Sequence, residues 1–274
     1  MVDARAPAPE PGAVVVRVAV CGVGYVDALV SLGRYQVKPP LPHVPGQEIG
    51  GWVEAIGDGV GNLSVGDRVM AQVRGGFSEL AVAPASAVTK IPDRMSFAQA
   101  AGFRVNYITA LHALRDRAGL LPGETLLVIG AAGGVGSAAI QVGRHLGARV
   151  IAAASTPEKR AFATRMGADE SIDSAAEGFR ERLQALCGKK GPDVVFDPVC
   201  GPLFEPAFRS MTWRGRHLVI GFAGGPIPSL RANLPLLKGA ALVGVDVRQF
   251  LLYEAELGAA HLSELLAWVG DGSL

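Results

Sequence analysis

The segment VIGAAGGVGSAAIQVGRHLG, residues 128–147, is the part of the chain that says most about its fold. It begins as an apolar run, passes through a glycine cluster and ends as an amphipathic segment, which is the order of a strand, a turn and a helix. The dinucleotide fingerprint GxGxxG falls on Ala131, Gly133 and Gly136, so an alanine replaces its first glycine. Such a loop exposes backbone N–H groups to a phosphate, but glycine turns also join strands to helices for packing alone. The loop by itself therefore does not distinguish a phosphate-binding site from a packing turn, and the rest of the sequence is needed.

Apolar runs alternate with helical segments on both sides of this stretch. Helices are expected from about residue 135, over about 157–166, and near 179–187 and 203–211. This alternation predicts an α/β domain with a doubly wound parallel sheet, the Rossmann arrangement, whose strands are buried on both faces. The six expected strands are TLLVI (125–129), ARVIAAAS (148–155), ESID (170–173), PDVVFD (192–197), RHLVIGF (216–222) and ALVGVDV (241–247).

The first third of the chain has a different pattern of apolar residues. Between residues 13 and 91, short β-rich runs are broken by glycine, which favours a small barrel or sandwich-like domain. The segment VKPPLPHVPG (37–46) holds four prolines, so it is expected to be a fixed loop without regular structure. We therefore predict a β-rich domain over 1–95 and a dinucleotide-binding domain over 96–274.

Composition narrows the class of partner. The chain has 274 residues, 49% of them hydrophobic, and a net charge of +1, which disfavours nucleic acid and favours a small molecule. Three scattered cysteines suit a reducing compartment rather than a disulfide framework. The start, MVDARAPAPEPG, lacks the blocks of a signal peptide, and no apolar run is long enough to span a bilayer. We expect a cytoplasmic protein without a membrane partner.

The end of the second expected strand bears on the cofactor. An NAD site usually carries an acid there for the ribose 2′-hydroxyl, but Ala153 and Ala154 occupy the place. Ser155, Lys159 and Arg160 follow, supplying a hydroxyl and two cations, and Ser155 with Lys159 is suited to hold a 2′-phosphate. We therefore predict NADPH as the cofactor. The alternative is that the two cations merely solvate a helix face.

With these pieces in order, the chain resembles the medium-chain dehydrogenase/reductase superfamily, and within it the zinc-independent quinone oxidoreductases related to zeta-crystallin. The resemblance covers nearly the whole chain and implies a GroES-like domain before the Rossmann domain. The segments that carry it are CGVGYVDALVSLGRYQ (21–36), PHVPGQEIGGWVEAIGDGV (42–60), VGDRVMA (65–71), GAAGGVG (130–136), GADESID (167–173), DVVFDPVCG (193–201), LVIGFAGGPIP (218–228) and LLKGAALVGV (236–245).

The resemblance also implies that no metal is bound. Zinc alcohol dehydrogenases of the superfamily place ligands at positions matching Gly24, Gln47 and about Val105, none of which offers the thiolate or imidazole that zinc prefers. The four-cysteine structural zinc lobe is absent as well. His43 and Cys21 lie nearby in the sequence, but two candidates lack a third ligand.

Without a Lewis acid to hold an alkoxide, the resemblance implies hydride transfer to quinones or other activated alkenes (enones). The implied catalytic residues are Tyr35, which could orient the substrate or donate a proton, together with Tyr25 and Asp27; Asp27 is more readily an interior hydrogen-bond anchor. Thr109 would lie at the interdomain helix. The implied cofactor-binding residues are Thr109, Gly133, Gly134, Val135, Ser155, Lys159, Val199, Gly221, Phe222 and Ala223.

The sequence departs from the family at several positions. Gly24 replaces a usual asparagine, Leu111 a common tyrosine, and Ser174 a tyrosine that helps to hold the 2′-phosphate. The β-rich domain is expected to be truncated at both chain ends. Two alternatives stay open: an enoyl-thioester reductase, and a non-catalytic NADPH-binding sensor or structural protein. Relatives pair the strand at 241–247 across a two-fold axis, which implies a homodimer.

Overall fold

The computed structural model describes residues 6–274, which divide into two compact units. The first unit runs up to Arg104 and includes Leu266–Gly272. The second unit consists of Val105–Leu265 with Ser273–Leu274. The sequence predicted the division between residues 95 and 96.

The first unit is built on a five-stranded antiparallel sheet. Its strands are β1 (Ala13–Cys21), β2 (Glu48–Ile56), β3 (Arg68–Gln72), β4 (Leu80–Pro84) and β5 (Val88–Lys90). They lie in the order β4-β1-β2-β3-β5. Val14 and Val16 of β1 are buried, and Val16 lies opposite Val53 and Ala81 on the neighbouring strands, so these side chains form the core. Residues 37–46 contain neither helix nor strand, as the prolines predicted.

The second unit is built on a six-stranded parallel sheet, which confirms the predicted doubly wound fold. Its strands are β6 (Thr125–Ile129), β7 (Arg149–Ala154), β8 (Glu170–Asp173), β9 (Val194–Asp197), β10 (Arg216–Val219) and β11 (Ala241–Gly244). Their order is β11-β10-β9-β6-β7-β8, so the chain changes direction between β6 and β9. Ligands of such sheets bind at the carboxyl ends of the strands where this reversal occurs.

Helices follow the strands and cover the parallel sheet, which is why every residue of β6 and β9 is buried. The helices within residues 6–274 are α1 (Tyr25–Ser31), α2 (Phe97–Ala100), α3 (Arg104–Leu111), α4 (Gly134–His145), α5 (Pro157–Arg165), α6 (Phe179–Cys187), α7 (Phe204–Ser210), α8 (Asn233–Lys238), α9 (Val247–Tyr253) and α10 (Ala255–Asp271), with a 3-10 turn at Ala85–Ala87. The helix α3 continues as one π-helical stretch, His112–Arg117.

The last strand is shorter than the sequence predicted. β11 ends at Gly244, whereas the apolar run continues to Val247. The reason is Asp246, whose carboxylate accepts hydrogen bonds from the N–H groups of Arg248 and Gln249 and so caps α9. The residues after Gly244 therefore belong to a turn and a helix.

None of the helices within residues 6–274 combines the length and the apolar character needed to cross a bilayer.

Candidate functional site

The glycine loop joins β6 to α4. Gly130 follows the strand with a φ of +65°, a left-handed conformation that glycine adopts without strain. Ala131 comes next and is fully buried, its N–H donating to the Ala153 carbonyl across 3.2 Å. The tight turn thus depends on Gly130, one residue before the first fingerprint position, and an alanine fits at that position.

Gly136 serves close packing within this loop. A Cβ at Gly136 would lie 2.3 Å from the carbonyl oxygen of Gly130, closer than any side chain can approach. Gly133 caps α4 and uses its own N–H inside the turn, donating to the Gly130 carbonyl across 2.9 Å. The N–H groups of Gly134 and Val135 follow in the first helical turn, which has no intrahelical acceptor for them. These two are the phosphate-binding candidates.

Asn106 of α3 lies against the same helix start, which the sequence did not indicate. A Cβ at Gly134 would lie 2.9 Å from the Asn106 side-chain nitrogen and 3.1 Å from its oxygen. The space for a Cβ at Gly134 is therefore limited by the end of a neighbouring side chain, and not by the backbone angles of Gly134. Because the two residues are 28 positions apart, no local pattern could have found the contact.

Polar side chains follow the end of β7. Ala153 and Ala154 are buried, and no acid stands at this strand end. Ser155 and Lys159 are exposed, and the Thr156 hydroxyl accepts from the Lys159 N–H across 3.3 Å, which caps α5. The cap fixes where α5 begins and hence where Lys159 stands.

Arg160 is engaged elsewhere. Its guanidinium donates to the Ala154 carbonyl across 3.1 Å and to the Asp173 carboxylate across 3.2 Å. The sequence places two cations, Lys159 and Arg160, after the strand end but predicts only Lys159, with Ser155, as a phosphate ligand. Arg160 instead ties the ends of β7 and β8 together.

A cavity of about 420 Å³ connects these features. It is mostly apolar along the strand ends, and its polar side chains are those of Ser155, Lys159 and Ser174. Among the predicted cofactor residues, the cavity brings together Gly133, Ser155, Lys159 and Val199. The lining residues are Ile129, Gly130, Ala132, Gly133, Ala153, Ala154, Ser155, Lys159, Ser174, Ala176, Val199, Pro202 and Leu203.

The remaining predicted cofactor residues lie near this cavity or deeper in the fold. A Cβ at Gly221 would lie 3.4 Å from the Pro198 carbonyl, and the Ala223 N–H donates to that carbonyl across 3.3 Å. Phe222, between them, is 43% exposed. Thr109 is buried in α3. The segment 221–223 therefore packs beside the loop that carries Val199.

The predicted catalytic residues lie in the first unit. Tyr25 begins α1 and is exposed, and Tyr35 lies shortly after the helix, half-buried. Asp27 is buried, and its carboxylate accepts from the Gly24 N–H across 2.8 Å. This contact is a helix cap, which supports the anchor role for Asp27.

The described residues do not fit a metal. Within residues 6–274, no group of three or more His, Cys, Asp or Glu side chains is arranged to hold one. Burial, with the nearby Asp27 and Glu48 charges, raises the pKa of the Cys21 thiol to about 11, so that thiol stays protonated at neutral pH.

Two family models match the chain. Residues 10–93 match the alcohol dehydrogenase GroES-like domain, and residues 134–264 match the zinc-binding dehydrogenase domain. Together with the parallel sheet and its glycine loop, these matches define a two-domain α/β dehydrogenase/reductase, with a GroES-like domain and a Rossmann domain.

Known relatives narrow this class. The quinone oxidoreductase-like protein 2 homolog of Nematostella vectensis is 37% identical over 94% of this chain and 72% of that protein. The quinone oxidoreductase of Thermus thermophilus, solved also in complex with NADPH, has a TM-score of 0.83 and 37% identity over 98% of this chain and 83% of its own. The chain belongs to the quinone oxidoreductase family of medium-chain dehydrogenases/reductases.

One further structure bears on the substrate. The CurK enoyl reductase superposes with a TM-score of 0.87 and 26% identity, over 99% of this chain and 83% of that chain. The fold is therefore shared between reductases named for quinones and one named for enoyl groups.

Proposed function

We propose that this protein is an NADPH-dependent, zinc-independent reductase of quinones or other activated alkenes. The observation that carries the proposal is the end of β7, where an acid is missing and Ser155 and Lys159 line the cavity instead. An acid would repel a 2′-phosphate, whereas a hydroxyl and an ammonium bind one.

In this proposal the chain holds the cofactor at three places. The Gly134 and Val135 N–H groups bind the pyrophosphate at the start of α4, where the helix dipole favours an anion. Ser155 and Lys159 bind the 2′-phosphate. Gly133 belongs to the same pyrophosphate loop, and Thr109 is a further proposed cofactor residue. The proposed contacts beside the adenosine or nicotinamide are Val199, Gly221, Phe222 and Ala223.

When bound, the nicotinamide supplies the hydride. The protein's task is to orient the acceptor carbon and to exclude water. Tyr35 is the proposed group that orients the substrate or donates the proton, and Tyr25, at the start of α1, is a second proposed catalytic residue. Asp27 acts by holding the start of α1 through the Gly24 N–H, and does not itself touch the reacting atoms.

A cofactor titration tests the proposal most directly. Intrinsic fluorescence is followed while NADPH or NADH is added to the same protein. We expect the dissociation constant for NADPH to be lower by about tenfold or more, since one charge-assisted contact is worth about 1.5–3 kcal/mol. Equal affinity for the two cofactors would refute the 2′-phosphate assignment.

An enoyl-thioester reductase is the second candidate, favoured by the likeness to the CurK enoyl reductase. Steady-state assays with a quinone, a 2-alkenal and an enoyl thioester separate the two. We expect the quinone and the 2-alkenal to have the higher kcat/KM. A higher kcat/KM for the thioester would assign the protein to the second class, and tight NADPH binding without turnover on any acceptor would indicate a sensor or structural role.

We also propose a homodimer formed through the edge of the parallel sheet. β11 is the outer strand of that sheet, and Leu242 on it is 43% exposed. An outer strand presents unpaired N–H and C=O groups that a second copy can use to continue the sheet.

The proposed location is the cytoplasm. The three cysteines, Cys21, Cys187 and Cys200, are free thiols, as a reducing compartment requires.

A further inference from the structure

A buried carboxylate holds the loop that carries Val199. Asp197 ends β9 and is fully buried. Its Oδ1 accepts from the N–H groups of Val199 and Cys200 across 2.9 and 2.8 Å. Its Oδ2 lies 3.1 Å from Nε2 of His217, which is also fully buried. One side chain therefore connects the loop to the neighbouring strand β10.

His217 is held in place by its ring contacts. The ring centroid lies 4.8 Å from that of Phe204 and 6.1 Å from that of Phe208, both on α7. Its Nδ1 is buried and has no hydrogen-bond partner within the part of the chain that the structure describes. A buried nitrogen without an acceptor is best tolerated unprotonated, so the proton resides on Nε2, which donates to Asp197.

The loop needs such support. Cys200 has a φ of +46°, a left-handed conformation that is costly for a residue with a side chain. The N–H groups of Val199 and of Cys200 itself both donate to the Asp197 carboxylate. The hydrogen bonds and the backbone conformation therefore depend on each other.

The loop also forms one wall of the cavity. A Cβ at Gly130 would lie 2.8 Å from Cγ2 of Val199, so the valine side chain packs directly against the glycine loop. Val199, Pro202 and Leu203 all line the cavity. A shift of this segment would change the shape of the site at which the cofactor is proposed to bind.

We propose that Asp197 and His217 are positioning residues for the cofactor: they touch no ligand, but they set the position of the Val199 wall and thereby the affinity for NADPH. This inference rests on the proposed function. It adds a pair that no motif of the sequence indicated, because Asp197 and His217 are 20 residues apart and meet only across adjacent strands.

Three variants test the proposal. His217→Leu removes the donor and leaves the Asp197 Oδ2 unpaired, while His217→Gln retains an N–H donor at the reach of Nε2. Leu183→Ala is the control, since Leu183 is buried in α6 within the same core cluster but is not among the residues that line the cavity. It destabilises the fold, and Leu183 takes no part in the Asp197 hydrogen bonds with Val199, Cys200 and His217.

The readouts are the NADPH dissociation constant, measured well below the unfolding temperature of each variant, and amide hydrogen exchange at Val199 and Cys200. For His217→Leu we expect the dissociation constant to rise about tenfold, the equivalent of one lost hydrogen bond, and both amides to exchange faster. In His217→Gln the dissociation constant and the two exchange rates should lie within about threefold of those of the unaltered protein. In Leu183→Ala neither the dissociation constant nor the two exchange rates should change.

Faster exchange with an unchanged dissociation constant would overturn the proposal and leave the pair a purely structural one. If His217→Leu does not fold, Asp197→Asn is the variant that tests the proposal. Its amide has the shape of the carboxylate but accepts more weakly from the N–H groups of Val199 and Cys200. Unchanged amide exchange and unchanged NADPH affinity in Asp197→Asn would overturn the proposal too. Failure of the proposed function is recognised separately, by absent NADPH binding in the unaltered protein.

Discussion

Arg160 and Asp173 form an ion pair across 3.2 Å at the carboxyl edge of the parallel sheet. The pair joins α5 to the end of β8, and the same guanidinium also binds the Ala154 carbonyl. Lys159, one residue earlier, makes no ion pair with any residue in 6–274 and lines the cavity. Of these two adjacent cations, Arg160 thus stabilises the fold, whereas Lys159 faces the candidate site.

This difference predicts contrasting effects of two neighbouring substitutions. Lys159→Ala should raise the NADPH dissociation constant about tenfold or more and leave that of NADH within about twofold, because only NADPH carries the 2′-phosphate. Arg160→Ala should lower the unfolding temperature and affect both cofactors alike. Fluorescence titrations with both cofactors check this, and an equal loss for both in Lys159→Ala would contradict the assignment of Lys159.

The glycine loop predicts an order of severity. Gly136→Ala should destabilise most, by about 1–3 kcal/mol, because its Cβ would meet a backbone carbonyl at 2.3 Å. Gly133→Ala should be mild, since the same carbonyl lies 3.3 Å from its Cβ. Gly134→Ala should be intermediate, because its neighbour is the Asn106 side chain. Urea unfolding of the three variants gives the ranking.

The Gly134 variant has its own control. Asn106→Ala removes the carboxamide that a Cβ at Gly134 would meet, so the double variant should recover part of the stability lost in Gly134→Ala. A double-mutant cycle measures that coupling. Additive effects would show that Asn106 is not what limits the space at Gly134.

The sequence predicted the parallel sheet because its signals are local. The central strands are short apolar runs, each followed by a helical segment, and β6 at Thr125–Ile129 lies where the run TLLVI stands. The end of β11 was predicted too late, since the apolar run through Val247 hides the cap at Asp246. The helix cap formed by Asp246 thus ends the strand although the residues on both sides of Asp246 are apolar.

Contacts within the candidate site could be predicted from the residues alone only where the parts are close in sequence. Ser155 and Lys159 belong to one strand-to-helix turn, and the sequence identified both. The Arg160–Asp173 contact joins a helix to a strand, and the Asp197–His217 contact joins two strands; their side chains carry no pattern of their own. Such pairs are determined by strand order, which becomes known only when the sheet is assembled.

The outer strand β11 predicts a test of self-association. Leu242→Lys should shift a dimer toward monomer, because a buried ammonium at a continuous sheet is costly and lysine is a common guard of free edges. Val82→Lys is the matched control, an exposed apolar position on β4, the outer strand of the other sheet. Sedimentation at micromolar concentration measures the oligomeric state of the unaltered protein and of both variants. A monomeric unaltered protein, or a Leu242→Lys dimer, would contradict the proposed interface.

A pair of histidines that is not part of the cavity lining shares one carboxylate in the second unit. The Asp116 Oδ2 lies 2.8 Å from Nδ1 of His112 and 3.4 Å from Nε2 of His261. Phe250 stacks on His112, with ring centroids 3.8 Å apart, and also contacts His261. Arg115 and Glu264 complete the charged surroundings. Burial lowers the pKa of His261 below its usual 6.5, although the charge of Asp116 opposes this shift.

This lowered pKa predicts acid sensitivity. Below about pH 6.5 the unfolded chain binds a proton at His261 that the folded protein does not, so the free energy of unfolding should fall as the pH decreases, by up to about 1.4 kcal/mol per pH unit until the folded-state pKa is reached. His261→Gln has no such proton and should show a smaller slope between about pH 5 and 6.5, while at about pH 8 the slopes should coincide. Urea unfolding across this range measures both proteins, and identical slopes below about pH 6.5 would mean that His261 does not resist protonation in the folded state.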